Sequence, residues 1–399
     1  MNRYFSLYNR FLSGDFIQNI FVFLGIFCFG FTLRPFITCV YPFVDYLSNQ
    51  YDFCAVKISF LTSIPVFCMG LFVILGRYLE KYLNKECIMS LATLLIACAF
   101  LLRSTYVNEK FFFLATLFGS IGIGVGGSLI GGFLKEHFSS LSMNAMGFYS
   151  FGIGLGAITG SEISLSAWSR NQLTLSVVTA VCGIVFFAVF YRRQPTAECL
   201  KKSHGFDLFC FNRKTQLLIF IFCLQSIINY TLLLWIQPYY MSLNITKSNY
   251  YRIIPFLLCT QLLSSFLVPN LLLKFKNKLL VLFWLAMLLS LSIVLLYFFP
   301  IAIFWFVLAS IGFSTGAIFP MSLSLPIILS DNSEQAGRFF STMLFGGYLL
   351  SAFGQLFLGK LIDLSGSYFS ICLALLGASI ILTSFIFILN QINKRNDNV

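Results

Sequence analysis

About twelve long apolar segments constrain what this chain can fold into. Each approaches or exceeds the roughly 20 residues that an α-helix needs to cross the hydrocarbon core of a bilayer. Only 10% of the residues are charged and 58% are hydrophobic, whereas about 25% charged residues is usual in a soluble domain. A soluble enzyme, a secreted scaffold and a disordered chain are therefore excluded, and the sequence predicts an all-α polytopic membrane protein. The segments lie at 17–46, 56–76, 87–105, 111–134, 143–166, 171–191, 215–241, 250–273, 278–299, 301–329, 336–360 and 367–390.

The basic residues are distributed unequally between the two sides of this arrangement. With the N-terminus placed inside, 18 of the 26 Lys and Arg residues fall on the inner side and 7 on the outer side, Arg103 among the latter. Cytoplasmic loops carry such an excess. The bias predicts a multi-pass protein of the cytoplasmic (inner) membrane with both termini in the cytoplasm, and it explains the net charge of +12 without a nucleic-acid partner. The first segment is too long for a cleaved signal peptide and continues through Arg34.

Two halves of the chain share a weak repeat. Ser120-Ile121-Gly122, with Gly126, matches Ser310-Ile311-Gly312, with Gly316, at an offset of 190 residues. Phe151-Gly152 with Gly160 matches Phe345-Gly346 with Gly354, and Pro42 matches Pro238, at offsets of 194 and 196. We expect six-helix bundles at 1–191 and 215–399, joined by a basic cytoplasmic linker at 192–214, in the two-half arrangement of the major facilitator superfamily.

Two short motifs in these segments imitate enzyme signatures. The glycines from Gly122 to Gly127 satisfy a dinucleotide fingerprint, and Gly312-Phe313-Ser314-Thr315-Gly316 satisfies a nucleophile elbow. Both signatures require a β-strand before the motif, and both matches lie inside apolar segments of spanning length. Small residues there allow helices to approach closely, so Gly122, Gly126, Gly312 and Gly316 are predicted to be packing or hinge positions. The cysteines form no CxxC pair, and we expect no cofactor and no metal site.

Arg34 is the one basic residue that the count assigns to neither side, because it lies within the first apolar segment. An ionised Arg at that depth costs a few kcal/mol or more unless it faces a cavity or a partner. A structural ion pair or an Arg that reaches the interface is the alternative to a fixed charge in a central cavity. Alignment of Pro42 with Pro238 puts Tyr230 opposite Arg34. The predicted substrate-binding residues are Arg34, Gln225, Asn229, Tyr230 and Trp235.

The acidic residues near the segment ends are candidates for proton coupling. A carboxyl group in a poorly solvated site has a raised pKa and can exchange a proton near neutral pH. Glu162 and Asp45 are the candidates, with Glu162 favoured, and Asp363 lies just past the eleventh segment. All three could equally be interfacial residues.

The segments also carry motifs of a known family. Leu33-Arg34-Pro35 with Ile37-Thr38, Pro42 and Asp45, and Leu61–Val66 with Gly70-Leu71, lie in the first half. Leu224-Gln225-Ser226 with Tyr230, Trp235 and Pro238, and Gly347-Tyr348 with Gly354, Gly359, Asp363 and Gly366-Ser367, lie in the second. With these motifs the chain resembles the cyanate and 2-nitroimidazole transporters of the major facilitator superfamily. It departs from them at Gly127 and Gly131, where that family typically has Asn and Pro. The resemblance implies the superfamily fold, alternating access and a binding site that includes Arg34.

Together these features predict a secondary active transporter. It would move a small polar or anionic solute by alternating access, and we expect coupling to protons because no ATP-binding motif is present. The alternative is an efflux transporter for drugs or larger metabolites such as carboxylate compounds. A membrane enzyme lacks a catalytic constellation here, and a receptor would bind a ligand without flux. We expect a monomer in the lipid bilayer.

Overall fold

The chain folds into a bundle of long helices. The structure, a computed structural model, describes residues 15–44, 47–48, 52–80, 82–105, 109–138, 142–162, 168–190, 212–272, 277–330 and 333–397. These ranges contain twelve helices of 19 to 33 residues. They are α1 Asp15–Leu33, α2 Ala55–Leu79, α3 Lys85–Thr105, α4 Glu109–Phe138, α5 Ser142–Ser161, α6 Trp168–Phe190, α7 Arg213–Ser242, α8 Ile253–Leu272, α9 Lys278–Phe298, α10 Phe304–Ile328, α11 Ser333–Ser365 and α12 Phe369–Asp397.

The helices correspond one to one to the twelve apolar segments, which confirms the predicted fold class. Among the described residues, ten candidate spans are long and apolar enough to cross a membrane, and α8 contributes a shorter apolar stretch at Ile253–Val268. Large apolar side chains such as Leu263, Phe353 and Phe357 are exposed on the outer surface of the bundle. In water such a surface would be unfavourable, whereas lipid tails solvate it, so the chain is a multi-pass membrane protein.

The helices pack in two groups. Within the first group α1 packs on α5 and α6, and α3 packs on α4 and α6. Within the second, α7 packs on α11 and α12, α8 on α10, and α9 on α12. The groups are α1–α6 and α7–α12, and they meet where α2 packs on α11 and α5 on α8. The linker predicted at 192–214 falls almost entirely outside the described residues.

The glycines of the repeat lie at close helix crossings. A Cβ at Gly122 would meet the carbonyl oxygen of Ala92 in α3, and one at Gly126 would meet the Phe29 ring of α1. In the second group, both Gly312 and Gly316 face α8. A Cβ at Gly316 would collide with the backbone of Gln261, which cannot move aside as a side chain could.

The first helix is broken near its end, at Arg34. α1 stops at Leu33, and Pro35 begins a new turn, Pro35–Thr38, followed by a 3₁₀ turn at Tyr41–Phe43. Pro35 lacks an N–H and cannot continue the hydrogen-bond ladder. The amides of Ile37 and Thr38 both donate to the carbonyl of Arg34, at 3.1 Å each. Arg34 therefore lies at the junction between a regular helix and a short irregular segment.

A carboxylate joins the two groups at the end of the bundle farthest from both termini, here called the distal end. Asp363, near the end of α11, accepts hydrogen bonds from the amides of Ala55, at 2.8 Å, and Val56, at 3.1 Å. These amides begin α2, where helical N–H groups have no partner within the helix and the helix dipole favours an anion. Next to this contact, Gly359 of α11 packs directly on Ser59 of α2. The contact closes the distal end between the two halves.

Asp363→Asn is expected to loosen this closure by about fivefold, because removal of the charge forfeits up to about 1 kcal/mol of interaction with the helix terminus. The reporter is Ser59→Cys, since Ser59 is fully buried at the α2–α11 contact. Maleimide labelling of residue 59 in purified protein, followed by mass spectrometry in a Cys54→Ser background, measures the opening. Lys360→Gln, also on α11, is the control. An unchanged labelling rate in the Asp363 variant would contradict the role of the contact.

Candidate functional site

Arg34 contacts the opposite half of the molecule. Its Nη1 donates a hydrogen bond of 3.0 Å to the phenolic oxygen of Tyr230 in α7. The guanidinium carbon also lies 5.3 Å from the centre of the Tyr230 ring. Arg34 itself remains half-buried while its neighbours Leu33 and Pro35 are buried. Arg34 thus lies deep in the bundle with part of its surface still accessible.

Three further tyrosines surround this pair. Tyr41, Tyr149 and Tyr348 are each close enough to interact electrostatically with the guanidinium. They come from the segment after α1, from α5 and from α11, so both halves contribute phenols. All three are buried, and the Tyr41 hydroxyl has no hydrogen-bond partner in the described part of the chain. With Tyr230 they form what we call the tyrosine cluster: Tyr41, Tyr149, Tyr230 and Tyr348.

Among the described residues, no carboxylate neutralises the charge of Arg34. Within the described ranges its side chain makes one hydrogen bond, to the neutral phenol of Tyr230, and no ion pair. A guanidinium has five N–H donors, so four remain for another partner. The centre of the bundle therefore combines a positive charge, unused donors and aromatic walls.

Asn229 and Gln225, two of the polar residues predicted on α7, have different hydrogen-bond partners. Asn229 accepts a hydrogen bond of 2.8 Å from Gln261 of α8, and the same amide nitrogen donates to Thr315 of α10 at 3.0 Å. Gln225 donates to its neighbour Ser226. Asn229 and Tyr230 are adjacent in sequence, so the amide network of α7, α8 and α10 adjoins the tyrosine cluster.

Trp235 lies elsewhere. It is buried against Tyr368 at the start of α12, with ring centres 5.9 Å apart. That contact is one to two turns along α7 from Tyr230, toward the distal end. The structure therefore gives Trp235 a packing contact within the second half and no contact with Arg34.

Of the two candidates for proton coupling, only Glu162 lies in the described part of the chain, and it is not at the central cluster. Glu162 is exposed directly after the end of α5, and it interacts electrostatically with Cys259 of α8. Asp45 lies outside the described residues. Two residues before Glu162, Gly160 contacts Pro35 and Thr38. Glu162 therefore follows closely on the part of α5 that packs against the turn after Arg34.

Several residues at the centre of the bundle were not predicted from the sequence. Tyr41, Tyr149 and Tyr348 come from three different elements, and only packing brings them together. One feature of the sequence could have indicated Gln261: it is a polar amide in the middle of an apolar segment. Tyr348 could have been indicated by the two glycines before it, which pack on Ile219 and Phe222 of α7 and so bring α11 close to the centre.

Arg103 is the largest correction to the charge pattern. The sequence counts it with the outer loops, but it lies in the last turn of α3 and only 1% of it is exposed. His137 is also buried, at the end of α4, with its Nε2 3.1 Å from a carboxylate oxygen of Glu86. Packing against neighbouring helices, rather than position in the chain, decides both outcomes.

Comparison with known proteins assigns this chain to a family. The model of the Major Facilitator Superfamily matches residues 20–354. The cyanate transport protein CynX of Escherichia coli (strain K12) is 23% identical over 345 residues, which is 85% of this chain and 89% of CynX. The 2-nitroimidazole transporter of the same strain is also 23% identical, over 90% of this chain and 91% of its own length. The resemblance expected from the motifs is thereby confirmed.

A solved structure agrees with the fold. The crystal structure of the nucleoside transporter NupG superposes with a TM-score of 0.69 and 15% sequence identity. The superposition covers 93% of this chain and 98% of that one. The two proteins share the same overall fold.

Proposed function

Since this chain belongs to the major facilitator superfamily of secondary transporters, we propose that it carries a small anionic or polar solute across the cytoplasmic membrane. The two halves rock about a central site, which opens first to one side and then to the other. One observation supports an anion above a neutral solute or a cation. In the described residues Arg34 is a cation without a carboxylate partner, placed where the halves meet.

The unused donors of Arg34 define how a solute would be held. Two parallel N–H groups of a guanidinium suit two acceptor atoms of a carboxylate-like or otherwise delocalised anion. The tyrosine cluster would add hydroxyl groups and aromatic faces around it. Two relatives are named for cyanate and 2-nitroimidazole, both small polar molecules, and a single guanidinium among phenols suits a solute of that kind.

The bond between Arg34 and Tyr230 would connect binding to movement. Arg34 belongs to one half and Tyr230 to the other, so the bond holds the halves together when no solute is present. An anion that binds the guanidinium competes with the phenol and changes the free energy of the contact between the halves. A ligand shifts such an equilibrium only by its differential affinity for the two states, and this competition would supply that difference.

The sidedness of the molecule follows from the charge bias. We place both termini in the cytoplasm, as the excess of basic residues on that side predicts. The distal end, closed by Asp363, would then face outward, and the described conformation would be closed to the outside. Gly127 and Gly131 of α4, where a Cβ would meet no atom within 4 Å, lie toward the opposite, cytoplasmic end.

A ligand screen followed by transport tests the proposal. Purified protein is heated with cyanate, nitrate, acetate, benzoate or neutral 2-nitroimidazole, and the melting temperature is measured. An anion that raises it is then tested by counterflow in proteoliposomes. We expect stabilisation by at least one small anion and exchange of the same anion. Stabilisation by neutral solutes alone would overturn the assignment of an anion, and binding without exchange would indicate a receptor.

Proton coupling is the finer part of the proposal, and Glu162 is its candidate. In proteoliposomes, we expect an imposed pH gradient to drive uptake of the counterflow substrate against its concentration gradient. Glu162→Gln cannot release a proton, so it should abolish uptake driven by the gradient while leaving counterflow, which needs no net proton movement, within about threefold. Lys247→Gln, near the same end of the bundle, is the control. Flux that ignores the pH gradient in the unsubstituted protein would exclude proton coupling.

A further inference from the structure

A second arginine, Arg103, has no place in the proposed binding site, yet it is among the most completely buried side chains of the described structure. Its Nη2 donates to Thr116 of α4 at 2.8 Å, and its Nη1 donates to the backbone carbonyl of Phe36 at 3.0 Å. No described carboxylate pairs with it. An ionised group in such surroundings is costly unless its charge and its donors are satisfied in another way.

Two aromatic rings provide the compensation. The guanidinium carbon lies 3.7 Å from the centre of the Phe36 ring and 4.8 Å from that of Phe112. Aromatic faces carry negative electrostatic potential and attract a cation, most strongly when water is excluded. Arg103 is therefore held between two rings in a way that also fixes the Phe36 side chain.

The carbonyl that Arg103 binds is one that the break in the first helix leaves free. In a continuous helix the Phe36 carbonyl would accept from the amide of Val40, but that amide donates to Ile37 instead, at 3.3 Å. The Sγ of Cys39 also donates to this carbonyl, at 3.3 Å, and accepts from Nη1 of Arg103 at 3.5 Å. A thiol is a weak donor, so Arg103 supplies the strong hydrogen bond that the helix cannot.

This turn also carries the binding residue. The Arg34 carbonyl accepts from the amides of Ile37 and Thr38, and from the Thr38 hydroxyl at 3.2 Å. Residues 34–39 thus form one hydrogen-bonded turn, and Arg103 holds it two residues from Arg34. Tyr41 of the tyrosine cluster follows directly.

We propose that Arg103 is a positioning residue: it fixes the turn of residues 34–39 from behind, and so sets where Arg34 presents its charge, without contacting the solute. The inference rests on the proposed function for its effect on binding. Its effect on the turn is independent of that function.

The experiment compares Arg103→Met with Thr116→Val. Methionine keeps apolar packing and removes the charge, the fork of donors and the bond to Phe36. Valine removes only the acceptor on α4 and leaves the bond to Phe36 in place. Hydrogen–deuterium exchange of peptides that span residues 34–44 is measured on purified protein, together with the dissociation constant for nitrate and the melting temperature.

In the methionine variant, we expect at least tenfold faster exchange at residues 37–40 and roughly tenfold weaker nitrate binding. The melting temperature should fall modestly, because removal of a buried charge offsets part of the cost of the hydrogen bonds lost at Phe36 and Thr116. Thr116→Val should change exchange and binding by less than threefold. Arg103→Lys retains the charge but not the planar fork, so it should restore neither measurement fully.

The outcomes separate the two proposals. Unchanged exchange at 37–40 in Arg103→Met would overturn the positioning role, whatever happens to binding. Faster exchange with unchanged nitrate affinity would show that the turn does not determine the position of the Arg34 charge. That result would also overturn the positioning role. If nitrate does not bind the unsubstituted protein, the anion proposal loses its support for that ligand, and the exchange measurement alone decides whether Arg103 holds the turn.

Discussion

Arg34→Gln is expected to weaken binding of small anions by roughly 10- to 100-fold and to reduce their counterflow in proportion. Hydrogen bonds to a charged group contribute about 1.5–3 kcal/mol, and each 1.4 kcal/mol is a factor of about ten in affinity. Glutamine retains a donor but loses the charge and the paired geometry of the guanidinium. The measurement is isothermal titration with the anion that stabilises the protein most, followed by counterflow in proteoliposomes.

A matched substitution makes this result specific. Arg252→Gln changes the same residue type at an exposed position between α7 and α8, and it should leave affinity within twofold. Tyr230→Phe removes only the phenol that accepts from Arg34, and since that phenol competes with the solute, anion affinity should be retained or rise slightly. If Arg34→Gln left anion transport intact, Arg34 would be a structural residue and the proposed site would be wrong.

Gly316→Val is expected to destabilise the second half by about 3 kcal/mol, near the upper end of the range for an overpacked core. The added side chain would meet the Gln261 backbone and the Ser264 hydroxyl at the crossing of α10 and α8. The helices would have to separate, which also displaces Gln261 from Asn229 and Thr315. The measurement is the melting temperature of purified protein and the monodisperse fraction after solubilisation.

The control for this prediction lies in another helix. Gly377 of α12 is also helical, but a Cβ there would meet no atom within 4 Å. Gly377→Val should therefore leave the melting temperature within a few degrees. Equal stability of both variants would mean that α8 and α10 can separate at no cost, and that the small residues of the repeat are not required for packing.

Much of the fold follows from properties that each segment carries by itself. Spanning length and apolar composition predict all twelve helices, and their boundaries differ from the apolar segments by a few residues at most of the ends. The break in the first helix follows from Pro35. The repeat goes further, because it aligns Arg34 with Tyr230, and the structure joins these two side chains across the interface between the halves.

The surroundings of Arg34 could not be predicted in the same way. Tyr149 and Tyr348 reach it because glycines let α1 approach α5 and α7 approach α11, and a single sequence does not show which helices cross there. Arg103 looks like an interfacial charge, since an Arg in the last turn of a membrane helix commonly reaches the headgroups. Only the packing of Phe36 and Phe112 around it reveals a buried position.

The contact between Asp363 and the start of α2 depends on a particular side chain in α11 but on backbone groups alone in α2. One side is a particular carboxylate, while the other consists of two backbone amides, which almost every amino acid provides. The hydrogen bonds should therefore differ in their sensitivity to substitution: position 363 requires a suitable acceptor, whereas the amides of 55 and 56 are lost only on substitution by proline, which has no N–H. A side chain that joins the two halves of a transporter through backbone amides therefore has no partner position that covaries with it among related sequences. Such a contact can be found only in the three-dimensional structure.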